Sequence, residues 1–167
     1  MTTKTEAAVT TQVFQVFIKA TPQAIWDAIT SPEWTQKYGY RAPSEYDLRP
    51  GGKYRGLATE EMKAQGSGDV LVDGEVIEAD PPHKLVQTWR ALWEPELEAE
   101  GFTRLTWETR EELGGITRLT LTHELEGAPR HAEQVAGDTP LEQGGGGWPW
   151  ILSDLKTLLE SGRSLAD

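Results

Sequence analysis

The sequence contains no cysteine and no asparagine among its 167 residues. Without cysteine, the chain can form no disulfide, bind no metal through a thiolate and use no cysteine nucleophile. Without asparagine, it offers no Asn-x-Ser/Thr acceptor for a glycan. It also lacks an apolar run approaching the ~20 residues of a membrane-spanning helix. The polar segment from Met1 to Thr11 does not resemble a signal peptide, so we expect a cytoplasmic protein without membrane insertion.

Basic residues are scarce relative to acidic ones, with 16 Lys and Arg against 27 Asp and Glu. The resulting net charge of −11 repels phosphates, so we expect no nucleic-acid partner. The hydrophobic content of 37% is ordinary for a folded domain. We expect residues 1–10 to form a flexible tail and residues 11–167 to form a single domain.

Few histidines are present, and His83, His123 and His131 are too far apart in sequence for a local metal motif. No Gly-x-Ser-x-Gly nucleophile motif occurs either. The run Gly144–Gly147 precedes a helix but lacks the Gly-Lys-Ser/Thr ending of a phosphate-binding loop. It therefore predicts a flexible approach to the last helix. We expect no metal and no cofactor.

Hydrophobic periodicity predicts most of the regular structure. Apolar residues alternate over Gln12–Ala20, which indicates a first strand. Thr21-Pro22 and Ser31-Pro32 each pair a capping hydroxyl with a proline at the first helical position, so they predict two short helices. The second of these is expected to run from about Pro32 to Tyr38.

From residue 44 onward the period is mostly two, and glycine- and proline-rich turns separate the segments. The candidate strands are Ser44–Leu48, Lys53–Glu60, Asp69–Ala79, Lys84–Trp93, Phe102–Glu111 and Thr117–Glu124. The acidic stretch Glu94–Glu100 is expected to be a hairpin loop, and Ala128–Ala136 a short helix. Apolar residues spaced by three and four then predict a long helix from Trp148 to Gly162. Such a helix can cover one face of an antiparallel sheet, which makes the chain α+β.

Four segments together resemble the START-like superfamily (SRPBCC). They are Ile18–Thr30 with its tryptophan, the DLRPGG turn within Tyr46–Arg55, the strand Thr117–Glu124, and the final helix Gly146–Gly162. Within the superfamily, the chain is similar to the branch homologous to the C-terminal domain of the heat-shock protein 90 ATPase activator.

The resemblance implies a helix-grip fold, in which a curved antiparallel sheet of about six or seven strands wraps a long C-terminal helix. Two short helices follow the first strand in that fold. The resemblance also implies a cavity between sheet and helix, but it does not fix one chemistry, because the fold hosts several functions.

Seven tryptophans are many for this length, and rigid rings on a concave sheet can line a pocket. The candidate ligand-binding residues are Trp34, Tyr54, Trp89, Trp107, His123, Trp148 and Leu152. His123 shares a strand face with Leu119 and Leu121, so it is expected to point inward. It is the one candidate for a catalytic role, as a general base, and the alternative is a buried histidine satisfied by its neighbours.

Three functions follow as hypotheses. The first is a binding protein that holds a small apolar or aromatic molecule in the cavity. The second is a cyclase- or hydrolase-like enzyme that acts on a bound hydrophobic metabolite, with His123 as base and Tyr54 as hydrogen-bond donor. The third is an interaction protein that regulates a chaperone, which predicts an exposed apolar patch. A monomer or a homodimer is expected.

Overall fold

A seven-stranded antiparallel sheet forms the framework of the computed structural model, which describes residues 10–167. Its strands are β1 (Thr11–Ile18), β2 (Ser44–Tyr46), β3 (Lys53–Leu57), β4 (Val70–Asp80), β5 (Lys84–Ala91), β6 (Thr103–Glu111) and β7 (Thr117–Glu124). Their order in the sheet is β1-β7-β6-β5-β4-β3-β2. Consecutive strands from β2 to β7 are neighbours, as short turns require. Strand β1 forms one edge of the sheet, where it pairs with β7 from Thr11 opposite Glu124 to Ile18 opposite Thr117.

Within residues 10–167, six α-helices interrupt or follow the strands. They are α1 (Pro22–Thr30), α2 (Pro32–Thr35), α3 (Glu60–Ala64), α4 (Pro95–Glu100), α5 (Pro129–Ala136) and α6 (Gly147–Ser161), with a 3₁₀ turn at Leu141–Gln143. The predicted start of α1 is confirmed, because the Thr21 hydroxyl accepts a hydrogen bond from the Ala24 N–H at 3.1 Å. Helix α2 ends three residues earlier than expected, and Gly39 follows with a positive φ of 63°.

Two short helices differ from the sequence-based expectation. The third predicted strand ends at Leu57, and the chain then turns into α3, where the Thr59 hydroxyl caps the Met62 N–H at 3.1 Å. The expected hairpin loop over Glu94–Glu100 is instead helix α4, which starts with Pro95 at a favoured first position. Both helices are one or two turns long, so neither carries enough residues for a clear apolar period.

Helix α6 lies against the inward face of the sheet. Leu119 and Leu121 of β7 are fully buried and belong to the same core as Trp148, Leu152 and Leu155 of α6. The expected helix-grip arrangement is therefore confirmed. No helix within residues 10–167 is long and apolar enough to cross a membrane.

The C-terminal end of the chain is fastened to α6 by a buried carboxylate. Asp154 is fully buried and accepts hydrogen bonds from the Gly39 N–H at 2.9 Å and the Leu165 N–H at 2.6 Å. The Ser164 hydroxyl donates to the same carboxylate at 2.8 Å. Because these donors satisfy the carboxylate, α6, the segment after α2 and the chain end are held together at one point.

The glycine run before α6 is tightly packed, contrary to the expectation of a flexible approach. Gly145, Gly146 and Gly147 are all buried. Gly147 has a φ of +57°, and a Cβ there would collide with the carbonyl oxygen of Val135 in α5. Only glycine fits this position, so the run lets the start of α6 approach the end of α5 closely.

Candidate ligand site

Six of the seven predicted ligand-binding residues meet in the core between the sheet and α6. Tyr54, Trp89, Trp107 and His123 project from four neighbouring or nearby strands, since alternate residues of each strand face inward. From the other side, α6 contributes Trp148 and Leu152, one helical turn apart.

Trp34 lies apart from this group, on the short helix α2. It is partly buried at the edge of the core, and the Lys37 ammonium lies 4.7 Å from its ring centroid. The structure therefore places it at the surface end of the helical layer, where a cation covers its ring.

His123 links β7, β6 and α6 through both of its ring nitrogens. The Trp148 indole donates to Nδ1 at 3.0 Å. On the other side, Nε2 lies 2.7 Å from the Thr103 hydroxyl, which itself donates to the Trp89 carbonyl at 2.7 Å. The hydroxyl proton is thus committed, so His123 must donate from Nε2 and accept at Nδ1. This assigns the neutral tautomer.

The protonation state of His123 fits this arrangement. Burial, and to a smaller extent the neighbouring His131, together lower the pKa of His123 to about 3. A general base needs a pKa near the working pH and a free nitrogen facing the substrate. With both nitrogens engaged by protein groups, His123 acts in this structure as a buried, satisfied histidine.

Aromatic rings pack around Trp148, edge to face in the case of Trp107 and tilted by 52° in the case of Trp89. The Trp148 ring centroid lies 5.6 Å from that of Trp107, at an interplanar angle of 87°. It lies 5.8 Å from the ring of Trp89, which in turn contacts His123 at 5.1 Å. Such T-shaped pairs are favourable beyond the area that they bury. The interior around Trp148 is therefore filled with protein side chains.

Trp107 carries the unusual polar atom of this core. Its Nε1 is buried and, among the described residues, is the one buried side-chain nitrogen or oxygen without a hydrogen-bond partner. Leaving such a donor unpaired costs roughly 1–3 kcal/mol. Trp107, which was predicted to line the ligand site, therefore carries an indole N–H that lacks an acceptor.

A second polar group on the inward face was missed by the sequence analysis. Gln87 of β5 is fully buried, and its Oε1 accepts a hydrogen bond from the Tyr46 hydroxyl at 2.6 Å. Its Nε2 makes only a long contact of 3.5 Å with the Thr88 carbonyl. Tyr54 stacks on Tyr46 with ring centroids 4.5 Å apart, and burial raises the pKa of Tyr54 to about 12. Gln87 alternates with Leu85 and Trp89 along β5, and this spacing could have predicted that its side chain points inward.

Helix α5 covers one end of this core and is held to α4 and β5 by hydrogen bonds of His131 and Glu100, which we call the α4–α5 clamp. The sequence analysis did not predict these contacts. His131 is fully buried, accepts the Ala91 N–H at Nε2 and places Nδ1 2.7 Å from Glu100 of α4. The Glu100 carboxylate also accepts the backbone N–H groups of Arg130 and His131 at 2.7 and 2.9 Å. Burial alone would raise the pKa of Glu100, but these hydrogen bonds outweigh it, so the pKa lies below its usual value.

The two clearest concavities of the described chain lie outside this core. One, of about 500 Å³, is an open groove lined by Met62, Gln65, Gly66, Ser67, Gly68, Val70, Leu71, Leu92 and Trp93. The other, of about 230 Å³, lies beside Glu45, Lys53 and Arg55. Residues 10–167 contain no group of three side chains able to hold a metal ion. A cavity under α6 therefore stays a prediction, and it needs space that Trp148 now fills.

The fold and the helix–sheet core agree with a family comparison. The family model described as "Activator of Hsp90 ATPase homolog 1-like protein" matches residues 19–160. This chain belongs to that family. Its SRPBCC-type fold was thus identified correctly from the four sequence segments. No curated protein matches the chain.

Solved structures extend the comparison at the level of the fold. An HSP90 activator from Plasmodium falciparum, PFC0360w, has a TM-score of 0.63 and 21% identity, with 91% of this chain and 97% of that chain covered. DynU16, from the dynemicin biosynthetic locus, has a TM-score of 0.64 and 20% identity, with 93% and 49% covered. CalU16 from Micromonospora echinospora has a TM-score of 0.49 and 22% identity, with 68% and 59% covered. The chain therefore spans only about half to three fifths of the latter two proteins.

Proposed function

We propose that this chain binds a small, uncharged aromatic molecule between the inward face of its sheet and helix α6. The observation that carries the proposal is the unpartnered indole N–H of Trp107, which is buried in the core on strand β6. Buried donors in native proteins are almost always paired, and an exception points to a missing partner. An acceptor oxygen of a bound ligand would supply it.

The chemistry of the surrounding side chains supports an aromatic, neutral ligand. Trp89, Trp107 and Trp148 offer ring faces and edges, while Gln87 and Tyr54 add polar groups without formal charge. An ionised ligand would bury a charge without a counter-charge, which is strongly unfavourable. Ligand pockets commonly combine such apolar walls with a few polar groups.

Because protein side chains fill the core, the core must open to admit a ligand. Measuring the affinity for aromatic ligands tests directly whether it does so. Thermal-shift and calorimetric titration with a panel of bicyclic aromatic ketones should show binding to the wild-type protein. Replacing Trp107 by phenylalanine keeps an aromatic, although smaller, ring and removes the N–H donor, so affinity should fall by about fivefold. The matched control is Trp93→Phe, because Trp93 is 45% exposed and is not among the residues of the core. No binding of any aromatic ketone would contradict the proposal.

A second candidate function is chaperone regulation through the open groove beside Trp93. This hypothesis requires an exposed apolar surface. Met62, Leu71, Leu92 and Trp93 supply an apolar part of the groove lining, beside polar residues such as Gln65 and Ser67. A structurally similar protein is an HSP90 activator, which supports an Hsp90-type chaperone as the partner. The test adds this protein to purified Hsp90 and measures ATP hydrolysis. Trp93→Ala should reduce any stimulation, whereas Leu113→Ala, at a residue 80% exposed in the β6–β7 turn, should not.

An enzymatic role has less support, because the one candidate base, His123, is engaged at both nitrogens. A cytoplasmic location and a monomeric or homodimeric state stay predictions.

A further inference from the structure

The indole of Trp148 fills the space between Trp107, Trp89 and His123, beside the unpartnered Nε1 of Trp107. Its ring lies 5.6 Å from Trp107, 5.8 Å from Trp89 and 6.0 Å from His123, measured between centroids. Its own Nε1 donates to His123 Nδ1 at 3.0 Å. A molecule that enters this core must therefore displace the Trp148 side chain.

Trp148 is also the aromatic residue of this core that can leave at the lowest cost. It is the second residue of α6, and the N-cap residue, Gly146, has no side chain that could cap the helix. The Tyr40 hydroxyl accepts the Gly147 N–H at 3.1 Å, and four glycines precede Trp148. Helix ends open more readily than paired strands. Opening breaks the close packing of residues 145–147, but the released glycines gain much backbone entropy in return. Trp89 and Trp107, in contrast, lie on strands paired on both sides.

Displacement of Trp148 would leave two polar groups of opposite kind without a protein partner. The Trp107 Nε1–H is a donor without a partner, and His123 Nδ1 becomes an acceptor without a partner. The hydrogen bond from His123 Nε2 to Thr103 keeps the tautomer unchanged. The emptied site then presents one donor and one acceptor on the walls of a space about the size of an indole.

We propose that Trp148 is a displaceable plug and that the ligand class is an uncharged, fused-ring aromatic molecule bearing both a carbonyl and a hydroxyl group. This inference rests on the proposed binding function and specifies its ligand. The ligand carbonyl accepts from Trp107 Nε1, the ligand hydroxyl donates to His123 Nδ1, and the fused rings replace the indole between Trp89 and Trp107.

Four bicyclic probes of nearly equal size test this ligand class. They are tetralin, which has no polar group, α-tetralone, which has the carbonyl, tetrahydro-2-naphthol, which has the hydroxyl, and 6-hydroxytetralone, which has both. Calorimetry should rank 6-hydroxytetralone first, with each polar group improving affinity over tetralin about fivefold. Trp107→Phe should abolish the gain from the carbonyl only, and leave that from the hydroxyl.

Two variants of Trp148 test the plug. Trp148→Ala should bind the probes at least about tenfold more tightly than the wild type, because no side chain must leave first. In the wild type, a bound probe should move the Trp148 indole into water and shift the tryptophan emission to the red. Trp148→Phe keeps most of the packing but has no indole at this position, so this red shift should be absent. Thermal unfolding checks that both variants fold.

The outcomes separate the two proposals. If no probe binds the wild type or either variant, the proposed function itself is wrong. If tetralin binds as tightly as 6-hydroxytetralone, or if Trp148→Ala binds no more tightly than the wild type, the core takes up ligands but this inference is overturned.

Discussion

The Trp148 indole donates a hydrogen bond to His123 Nδ1 at 3.0 Å, and this bond joins helix α6 to strand β7 in a region sealed from water. Each residue completes the other, because His123 needs a donor at Nδ1 and Trp148 needs an acceptor. The pair also decides the chemistry of His123, since it holds the ring in the neutral form. This contact therefore contributes to the stability of the core, and the proposed ligand binding would require it to break.

The first prediction concerns this pair. His123→Phe leaves the Trp148 N–H without an acceptor and removes the donor to the Thr103 oxygen, so unfolding in urea should show a loss of about 2–4 kcal/mol. Trp148→Phe should cost less, because it removes the donor and leaves only one acceptor unpaired. In a double-mutant cycle, the two changes should be coupled by about 1 kcal/mol or more. Strict additivity would show that the hydrogen bond contributes nothing.

The second prediction is a loss of stability in mild acid. The pKa of His123 is 6.5 when unperturbed and about 3 in the folded protein. Between these values the unfolded chain binds a proton that the folded chain excludes, so the free energy of unfolding rises with pH and falls on acidification. The slope due to His123 should approach about 1.4 kcal/mol per pH unit below pH 6.

Urea unfolding between pH 5 and pH 7 measures this slope above the range in which carboxylates titrate. His123→Gln should flatten it, whereas His83→Gln, at an exposed histidine, should leave it unchanged. An equal slope in the wild type and His123→Gln would contradict the assignment of a neutral buried ring.

The third prediction concerns the α4–α5 clamp. Glu100→Gln weakens three hydrogen bonds to Arg130 and His131, so α5 should exchange its amide protons faster. The expected loss of stability is about 1–3 kcal/mol. Glu96→Gln changes an exposed residue of the same helix and is the matched control. Unchanged exchange in α5 would show that apolar packing alone holds it.

The fourth prediction concerns the buried carboxylate of α6. Asp154→Ala removes the acceptor for two backbone N–H groups and for the Ser164 hydroxyl, which should cost about 2–4 kcal/mol. The segment after Gly162 should then become sensitive to carboxypeptidase. Asp138→Ala, at an exposed aspartate, should leave both the stability and the proteolysis unchanged. A C-terminal segment that stays protected in Asp154→Ala would contradict this role.

Much of the fold could be predicted from the sequence, because alternation determines which strand residues face inward. The phase of Leu119, Leu121 and His123 predicted their burial, and all three are fully buried. Helices α3 and α4 were missed because their few residues carry no period. A Thr59 cap and a proline at position 95 were their only local signals.

The candidate site was predictable in its members but not in its packing. Strand phase and helical spacing bring Trp89, Trp107 and Trp148 together, but whether they enclose a space depends on how their volumes fit. The contacts of Glu100 with His131 and of Tyr46 with Gln87 join residues 31 and 41 positions apart. No local pattern encodes such pairs, so they emerge only from the folded chain.

The most direct measurement follows the indole N–H of Trp107 in a proton–nitrogen correlation spectrum during titration with α-tetralone. The Trp107→Phe spectrum assigns its signal among the seven indole signals of the protein. A carbonyl bound at this donor should move the Trp107 signal downfield, because the proton enters a hydrogen bond that it lacks in the free protein. Saturating α-tetralone with an unmoved Trp107 signal would show that the core does not bind ligands at this atom.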